Sequence, residues 1–341
     1  MIKYIVVAES PLQLINGLEY CFAAEKNFLS VHIIYFEKKK NEVKNKQSRN
    51  ILKSICTGGV TYVRSPLKRT STNWLLSPLK VLKEAIGWNR TLSKISSLGI
   101  QSRDKITLIG FGSWLVAVSN FYTESTTVIV DGGVSTVRKD KLNVGGHPVT
   151  FFFPYPFWWA SCLLCRNFFN LKPLSAFDIY FSSYVQVKDK VPGRFVKNEK
   201  RWQKEIAHHT IRSSNCYFVS CNANGKLTYD DFYHRAIDDF KNRCDGSVFY
   251  YPRGNEQIAH AKYICQQHGL TIVEPLWPFE LYLSFVNNEK PSLVASLHST
   301  AIDVIGDTYG EDLPTITYAD SNAKSGGLSS HSLTRKKVIF V

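Results

Sequence analysis

The stretches Ser247-Val-Phe-Tyr-Tyr-Pro-Arg-Gly-Asn-Glu256 and Ser292-Leu-Val-Ala-Ser-Leu-His-Ser-Thr-Ala301 decide the fold. Each begins as a short apolar strand and leads into the spacing of a helix. Arg253 follows the first strand, and Ser299 and Thr300 open the helix after the second. Ligands of open parallel sheets bind beyond the carboxyl ends of strands, and helix N-termini attract anions. The pattern therefore predicts an anion held between two loops. Each part alone has a structural alternative, because a helix-start serine is commonly an N-cap and an arginine after a strand is commonly solvated.

Outward from these stretches, strand and helix patterns alternate along the chain. Strands are predicted at 2–7, 31–35, 60–63, 105–109, 127–130, 216–221, 247–251, 270–273, 293–297 and 315–318, and helices from Pro11, over 42–55, 74–98, 229–242, 256–268 and 279–286, and from Ser299. This alternation is typical of doubly wound α/β domains. A charged stretch at 188–201 is interpreted as a linker. We therefore expect an α/β fold with two Rossmann-like domains, 1–200 and 201–320, facing across a cleft, and a tail at 321–341 whose Ser-Gly-rich part, 321–332, is mobile.

The composition favours an anionic partner but does not identify its class. The 341 residues carry a formal charge of +14 and a pI of about 9.3. Nucleic acid, a membrane face and a phosphorylated substrate all fit such a charge. The chain has no aromatic signature of an RNA-binding sheet, which argues against nucleic acid.

The cysteines and the N-terminus indicate the compartment. Several of the eight cysteines fall in apolar strand or helix patterns and are expected to be core thiols. Cys162 and Cys165 form a C-x-x-C pair without a second pair at zinc-site spacing, so we expect no metal. The first residues form a strand pattern rather than a signal peptide, which predicts a cytoplasmic protein.

The segment 150–171, TFFFPYPFWWASCLLCRNFFNL, is the most apolar part of the chain. Pro154, Pro156 and Arg166 argue against a membrane-spanning helix. Aromatic residues beside positive charge suit an interfacial segment, and hence a peripheral protein of the inner membrane. A hydrophobic hairpin inside the domain or in a homodimer interface fits the same pattern.

The strand predicted at 127–130 ends in Asp131-Gly132-Gly133. A carboxylate where a strand meets a glycine turn faces the region in which ligands bind, which makes Asp131 the best general-base candidate. The alternative is an aspartate that forms the turn.

Four motifs in this order resemble those of bacterial lipooligosaccharide sialyltransferases and polysialyltransferases. They are Glu9-Ser-Pro-Leu-Gln13, Asp131-Gly-Gly133, Tyr250-Tyr-Pro-Arg-Gly-Asn-Glu256 and His298-Ser-Thr-Ala301. The second stands where that group has an acidic-acidic-glycine motif, the third where it has His-Pro, and the fourth matches its Ser-Ser/Thr motif. A weaker similarity is Pro278-Phe-Glu280. The resemblance covers nearly the whole chain and implies the GT-B arrangement of two Rossmann-like domains.

The resemblance implies an inverting transferase that needs neither a metal nor a cofactor. Its donor would be sialic acid, or a related ulosonic acid, activated by cytidine monophosphate (CMP). Its acceptor would be a glycan or glycolipid of lipooligosaccharide or capsule. Asp131 would be the base, Ser299 and Thr300 would hold the phosphate, and Glu280 would meet the ribose or cytosine. Further donor-binding positions implied by the motifs are Ser10, Gln13, Gly133 and Arg253.

Two positions depart from the family pattern. Gly132 occupies the second acidic place, and Arg253 occupies the place of the histidine. A guanidinium offsets charge but does not release a proton at neutral pH. His298, beside the phosphate loop, is the candidate for the missing acid, and His260 is a weaker one. The departures leave two alternatives open: a nucleotide- or glycan-binding protein without transfer activity, and a transferase for another nucleotide sugar.

Overall fold

The computed structural model divides the chain into two compact units, Met1–Glu199 and Lys200–Val341. It describes residues 2–38, 41–64, 105–111, 124–131, 177–191, 193–220, 231–253, 256–297, 299–319 and 337–340, with isolated positions between 93 and 122. The aromatic segment 150–171, most of the helix predicted at 74–98 and the segment 321–332 lie outside these residues.

Unit 1 is a parallel sheet whose described strands stand in the order β3-β2-β1-β4-β5-β6-β7. The strands are β1 (Tyr4–Ala8), β2 (Val31–Glu37), β3 (Gly59–Arg64), β4 (Thr107–Gly110), β5 (Thr126–Val130), β6 (Ile179–Ser182) and β7 (Arg194–Lys197), and the helices are α1 (Pro11–Glu25), α2 (Glu42–Ser54) and a 3₁₀ turn at Val185–Lys190. The strands are largely apolar on both faces, as expected of a parallel sheet covered on both sides. The strand order reverses between β1 and β4.

Unit 2 is a second parallel sheet, in the order β11-β10-β9-β13-β14-β15. Its elements are α3 (Arg201–Ala207), β8 (Ile211–Arg212), β9 (Cys216–Val219), α4 (Asp231–Asn242), β10 (Val248–Tyr251), α5 (Ile258–His268), β11 (Thr271–Ile272), α6 (Phe279–Leu281, continued as a π-helical turn over Tyr282–Val286), β12 (Glu289–Lys290), β13 (Leu293–Ser296), α7 (Thr300–Tyr309), a 3₁₀ turn at Gly310–Asp312, β14 (Thr315–Ala319) and β15 (Lys337–Phe340). Helices α4 and α5 pack on one face of the sheet, and α3, α6 and α7 pack on the other. The predicted fold class, two Rossmann-like α/β units, is confirmed.

Two expectations about the connections were wrong in part. The stretch 188–201, predicted as a linker, contains the division between the units at Glu199 and Lys200, but it also contains β7 and the first residue of α3. Among the described strands β7 stands at the edge of the sheet, and Arg194 and Lys197 are exposed, so its sequence is charged although it pairs with β6. The tail predicted at 321–341 contains β15, which pairs in parallel with β14 and stands last in the order of the described strands.

The described cysteines are unbridged, and Cys21, Cys216 and Cys265 are buried. Burial raises the pKa of the Cys265 thiol to about 11, which keeps this side chain neutral in the core. The expectation of core thiols is confirmed for these three residues. Within the described part of the chain, no helix has the length and apolarity to cross a membrane.

His32 makes the stability of unit 1 depend on pH. It lies on β2 with 9% of its surface exposed, and its Nε2 is 3.0 Å from Thr61 Oγ1 on β3. Burial lowers the pKa of the imidazole from its ordinary value of 6.5. The unfolded chain therefore takes up a proton that the folded chain resists, and the free energy of unfolding falls as the pH drops below about 6.5.

We expect His32→Gln, which keeps a polar partner for Thr61, to lose less stability than the wild type between pH 7.5 and pH 5.5. Urea unfolding at the two pH values measures this difference. His209→Gln, at an exposed position of unit 2, is the control and should respond as the wild type does. Equal losses in all three proteins would show that His32 is not responsible.

Candidate functional site

The carboxyl ends of three neighbouring strands form one edge of unit 2. Val219 on β9 pairs with Tyr251 on β10 and, on its other side, with Ser296 on β13. The strand order reverses between β9 and β13, and ligands of open α/β sheets bind at such a reversal. We call the loops that follow these strands the carboxyl edge of unit 2. The loop after β9, 221–230, lies outside the described residues.

Arg253 lies at this edge, two residues after β10, and is half-buried. A turn follows it and closes with a hydrogen bond from the Glu256 N–H to the Arg253 carbonyl oxygen, 2.8 Å long. The Glu256 carboxylate accepts the Tyr250 hydroxyl at 2.7 Å and contacts His260 Nδ1 at 2.9 Å. The arginine therefore stands on a turn that is anchored to the strand before it and to the helix after it.

Ser299 lies at the same edge and is the N-cap of α7. Its Oγ accepts the Ala301 N–H at 3.2 Å, and the residue is buried. The N-terminus of α7 thus faces the carboxyl edge of unit 2 with the positive end of its dipole. The loops that carry Arg253 and Ser299 are separated by one strand, or roughly 10 Å at ordinary strand spacing. His298 and the side chain of Thr300 lie outside what the structure describes.

Two further residues belong to this edge. Glu280, in the first turn of α6, is 9% exposed, and its charge adds to burial in raising the pKa of Tyr251 at the end of β10. Glu280 thus lies near the end of β10, and its role in binding the ribose or cytosine stays a prediction. Ser296, the last residue of β13, was not singled out. It is fully buried, and its hydroxyl has no hydrogen-bond partner among the described residues. The strand alternation that puts Ser296 on the face of Val294 is the signal that could have found it.

In unit 1, Asp131 follows β5 and is 3% exposed. Its Oδ1 accepts the Ser182 hydroxyl at 2.7 Å, and its Oδ2 accepts the Ser183 N–H at 2.9 Å. The side-chain amide of Asn16 donates to its backbone carbonyl at 3.0 Å. Burial and the nearby Asp131 charge raise the pKa of Tyr180 on β6. Asp131 is therefore a buried carboxylate that is fixed by named donors.

A polar network extends from Asp131 to the end of unit 1. Asn198 donates its amide N–H to Asn16 Oδ1 at 3.2 Å and its backbone N–H to the Ser182 carbonyl at 2.9 Å. The network ties α1, β5 and the residues after β6 and β7 together. Sequence reasoning missed Asn16, although a polar residue within the apolar spacing of a helix is a usable signal.

Ser10 and Gln13 have local roles at the start of α1. Ser10 Oγ accepts the Gln13 N–H at 3.4 Å, and Gln13 Oε1 accepts the Glu9 N–H at 2.9 Å. This reciprocal arrangement is a variant of the capping box. Lys38 at the end of β2 forms an ion pair with Glu9. Gly133, the remaining predicted donor-binding position, lies outside the described residues.

Chemically, the two units offer different groups. The carboxyl edge of unit 2 combines a guanidinium with a helix N-terminus, and both favour an anion such as a phosphate. The carboxyl edge of unit 1 carries a fixed carboxylate, which is suited to accept a proton. Arg253, Glu280 and Ser299 share the edge of unit 2, and Ser10, Gln13 and Asp131 share that of unit 1.

No protein-family model matches the chain, and no curated protein matches it. Solved structures do match. The GT-B domain of a sialyltransferase from Photobacterium damselae has a TM-score of 0.51 and 11% identity, and the match covers 100% of both chains. The UDP-GlcNAc 2-epimerase from Methanocaldococcus jannaschii has a TM-score of 0.50 and 10% identity, and the match covers 100% of this chain and 89% of that one. The chain therefore has the GT-B fold.

Proposed function

We propose that the protein is an inverting glycosyltransferase that moves sialic acid, or a related ulosonic acid, from a CMP-activated donor to a cell-surface glycan of lipooligosaccharide or capsule. The observation that carries the proposal is the carboxyl edge of unit 2, where the Arg253 turn and the N-terminus of α7 are suited to one phosphate. The order of the sequence motifs supports CMP-sialic acid as the donor. The fold supports the general class of nucleotide-sugar chemistry.

In the proposed reaction, the acceptor hydroxyl attacks the anomeric carbon and Asp131 takes its proton. The bond between the anomeric carbon and the phosphate oxygen breaks, and its electron pair leaves with the nucleotide. Arg253 and the N-terminus of α7 offset the charge that develops on the departing phosphate. A phosphate monoester is a weak base, so charge stabilisation supports its departure even though Arg253 donates no proton at neutral pH.

A transferase for another nucleotide sugar is the second candidate. The guanidinium of Arg253, in the place where the resembling family has an imidazole, favours it, because a permanently charged group also suits a diphosphate. The third candidate is a protein that binds the nucleotide but transfers no sugar, and the test must distinguish it from an enzyme.

A thermal-shift panel of CMP, UDP and GDP with the purified protein tests the donor class. A ligand that binds only the folded state stabilises it by about 2.7 kcal/mol at a concentration of one hundred times Kd. We expect CMP to raise the Tm most, and Arg253→Ala to weaken CMP binding by about 10- to 100-fold, since hydrogen bonds to charged groups contribute about 1.5–3 kcal/mol.

Arg212→Ala is the matched control, because it removes the same charge from an exposed position on β8. It should leave CMP binding unchanged. A larger rise in Tm with UDP or GDP than with CMP would contradict CMP as the donor nucleotide and favour the second candidate, a transferase for another nucleotide sugar. Product formation from CMP-sialic acid and a glycolipid acceptor then separates an enzyme from a binding protein, and CMP binding without any product would contradict the proposed activity.

A further inference from the structure

A buried polar cluster lies directly beneath the Arg253 turn. Tyr233 and Tyr250 bring their hydroxyl oxygens to 2.6 Å, Tyr250 donates to Glu256 Oε1 at 2.7 Å, and His260 Nδ1 lies 2.9 Å from the same oxygen. The side chains of Glu256 and His260 are 9% and 11% exposed. The proposed function uses none of these groups.

The hydrogen positions in this cluster follow from its chemistry. A carboxylate only accepts, so His260 Nδ1 carries the hydrogen in its contact with Glu256. Tyr250 donates its hydroxyl hydrogen to Glu256, so the hydrogen between the two tyrosines comes from Tyr233, which donates to the Tyr250 oxygen. Two donors, Tyr250 and His260, thus converge on Glu256 Oε1, and Tyr233 donates to Tyr250 behind them. A network of this kind fixes the geometry of the backbone that carries it.

The backbone fixed in this way is the Arg253 turn. The Glu256 N–H closes the turn on the Arg253 carbonyl oxygen at 2.8 Å, while the Glu256 side chain ties the turn to β10 through Tyr250 and to the first turn of α5 through His260. Glycine follows Arg253 in the sequence, and a glycine by itself permits many backbone conformations. Loss of the anchor would let Arg253 sample positions away from the ligand.

A role in stability alone explains the cluster less well. Burying a carboxylate is costly, and apolar residues usually fill such a place without loss. The other carboxylate oxygen, Glu256 Oε2, is buried and has no hydrogen-bond partner among the described residues. The position that Glu256 gives to the neighbouring Arg253 turn explains a costly buried carboxylate better than stability does.

We infer that Glu256, held by Tyr250 and His260, is a positioning residue that aligns Arg253 with the phosphate of the bound nucleotide. The inference rests on the proposed function, because it assumes that Arg253 contacts that phosphate.

The test measures the Kd for CMP by calorimetry in variants of Glu256. Glu256→Met removes the acceptor and should raise the Kd about 10-fold. Glu256→Gln keeps an oxygen that accepts from Tyr250 and His260, and should restore the Kd to within about 3-fold of the wild type. In a protein that already carries Arg253→Ala, Glu256→Met should raise the Kd for CMP by less than about 2-fold more, because Glu256 acts on CMP only through the arginine.

Tyr250→Phe covers the case in which Glu256→Met fails to fold, because it removes one donor to the carboxylate and keeps the ring. It should raise the Kd about 3-fold. Tyr318→Phe is the matched control: Tyr318 is also fully buried in unit 2 and donates to a carboxylate, Asp239, at 2.6 Å. Tyr318→Phe should lower the Tm by about as much as Tyr250→Phe does, and it should leave the Kd for CMP unchanged.

The outcomes separate the two proposals. Equal Kd values for Tyr250→Phe and the wild type, or a full additional loss in the Arg253→Ala background, would overturn the inference while the proposed function stands. A wild-type protein that binds none of the three nucleotides would overturn the proposed function and the inference with it.

Discussion

Replacing Asp131 with asparagine is expected to slow sugar transfer by about 10²- to 10⁴-fold, the range in which a positioned general base contributes to a rate. The amide keeps the size of the carboxylate but does not take a proton from the acceptor hydroxyl. The affinity for CMP should stay within about 2-fold, because the groups proposed to bind the phosphate belong to unit 2. The measurement is kcat with saturating CMP-sialic acid and acceptor, together with the Kd for CMP.

The control for Asp131→Asn is Ser182→Ala. Asparagine offers a single acceptor oxygen, so it loses one of the hydrogen bonds that Ser182 and Ser183 donate to Asp131. Ser182→Ala also loses one of them, but it keeps the carboxylate. We expect its rate to fall by less than about 10-fold, with a similar loss of thermal stability. Equal rates in Asp131→Asn and the wild type would exclude Asp131 as the base, and equal losses in the two variants would assign it a structural role.

Gly110→Ala is expected to destabilise unit 1 by about 3 kcal/mol, at the upper end of ordinary overpacking. Gly110 ends β4 and pairs with Val7 on β1. A Cβ at this position would lie 2.4 Å from the Val7 carbonyl oxygen and 3.2 Å from the Val7 Cβ. The first contact is with backbone, so the two strands at the centre of the sheet must separate for the methyl group to fit.

Urea unfolding of Gly110→Ala should show the loss in the transition of unit 1. Gly306→Ala makes the same change inside α7, where a Cβ meets nothing within 4 Å. It should stabilise the protein by about 0.5–1 kcal/mol, because alanine loses less backbone entropy than glycine in a helix. A Gly110→Ala protein as stable as the wild type would show that the sheet adapts at its centre.

Much of the fold was predictable because central parallel strands are continuous apolar runs. The predictions for β1, β2, β5, β10 and β13 are confirmed within three residues, and so is the start of α1, where Ser10 and Pro11 mark the cap and the first turn. Three of the missed strands, β7, β8 and β12, lack that signal, whereas β6 and β15 are short apolar runs that the sequence analysis also missed. β7 is charged because it lies at an edge of the described sheet. β8 and β12 contain two residues each, too few to show the alternation of apolar and polar residues that marks a strand.

The candidate site was predictable to the level of single loops. Strand ends identified Asp131, Arg253 and Ser299, because turn chemistry and capping residues are local. The partners of Asp131 were not predictable, since Ser182 lies 51 positions away along the chain and Asn16 lies 115 positions away. Similarly, nothing local in the sequence shows that Tyr250 and His260 converge on Glu256, although each is within six positions of it.

The parallel order of both sheets has a consequence for how the chain reaches its native state. Tyr4 pairs with Thr107 in unit 1, and Cys216 pairs with Leu293 in unit 2. The chain must therefore lose the entropy of closing a long loop before these central strands can form their contacts. Chains with such non-local pairings fold slowly, and their unpaired strand edges stay open to other chains in the meantime. Dilute conditions during refolding give each molecule time to complete its own sheets before it meets another.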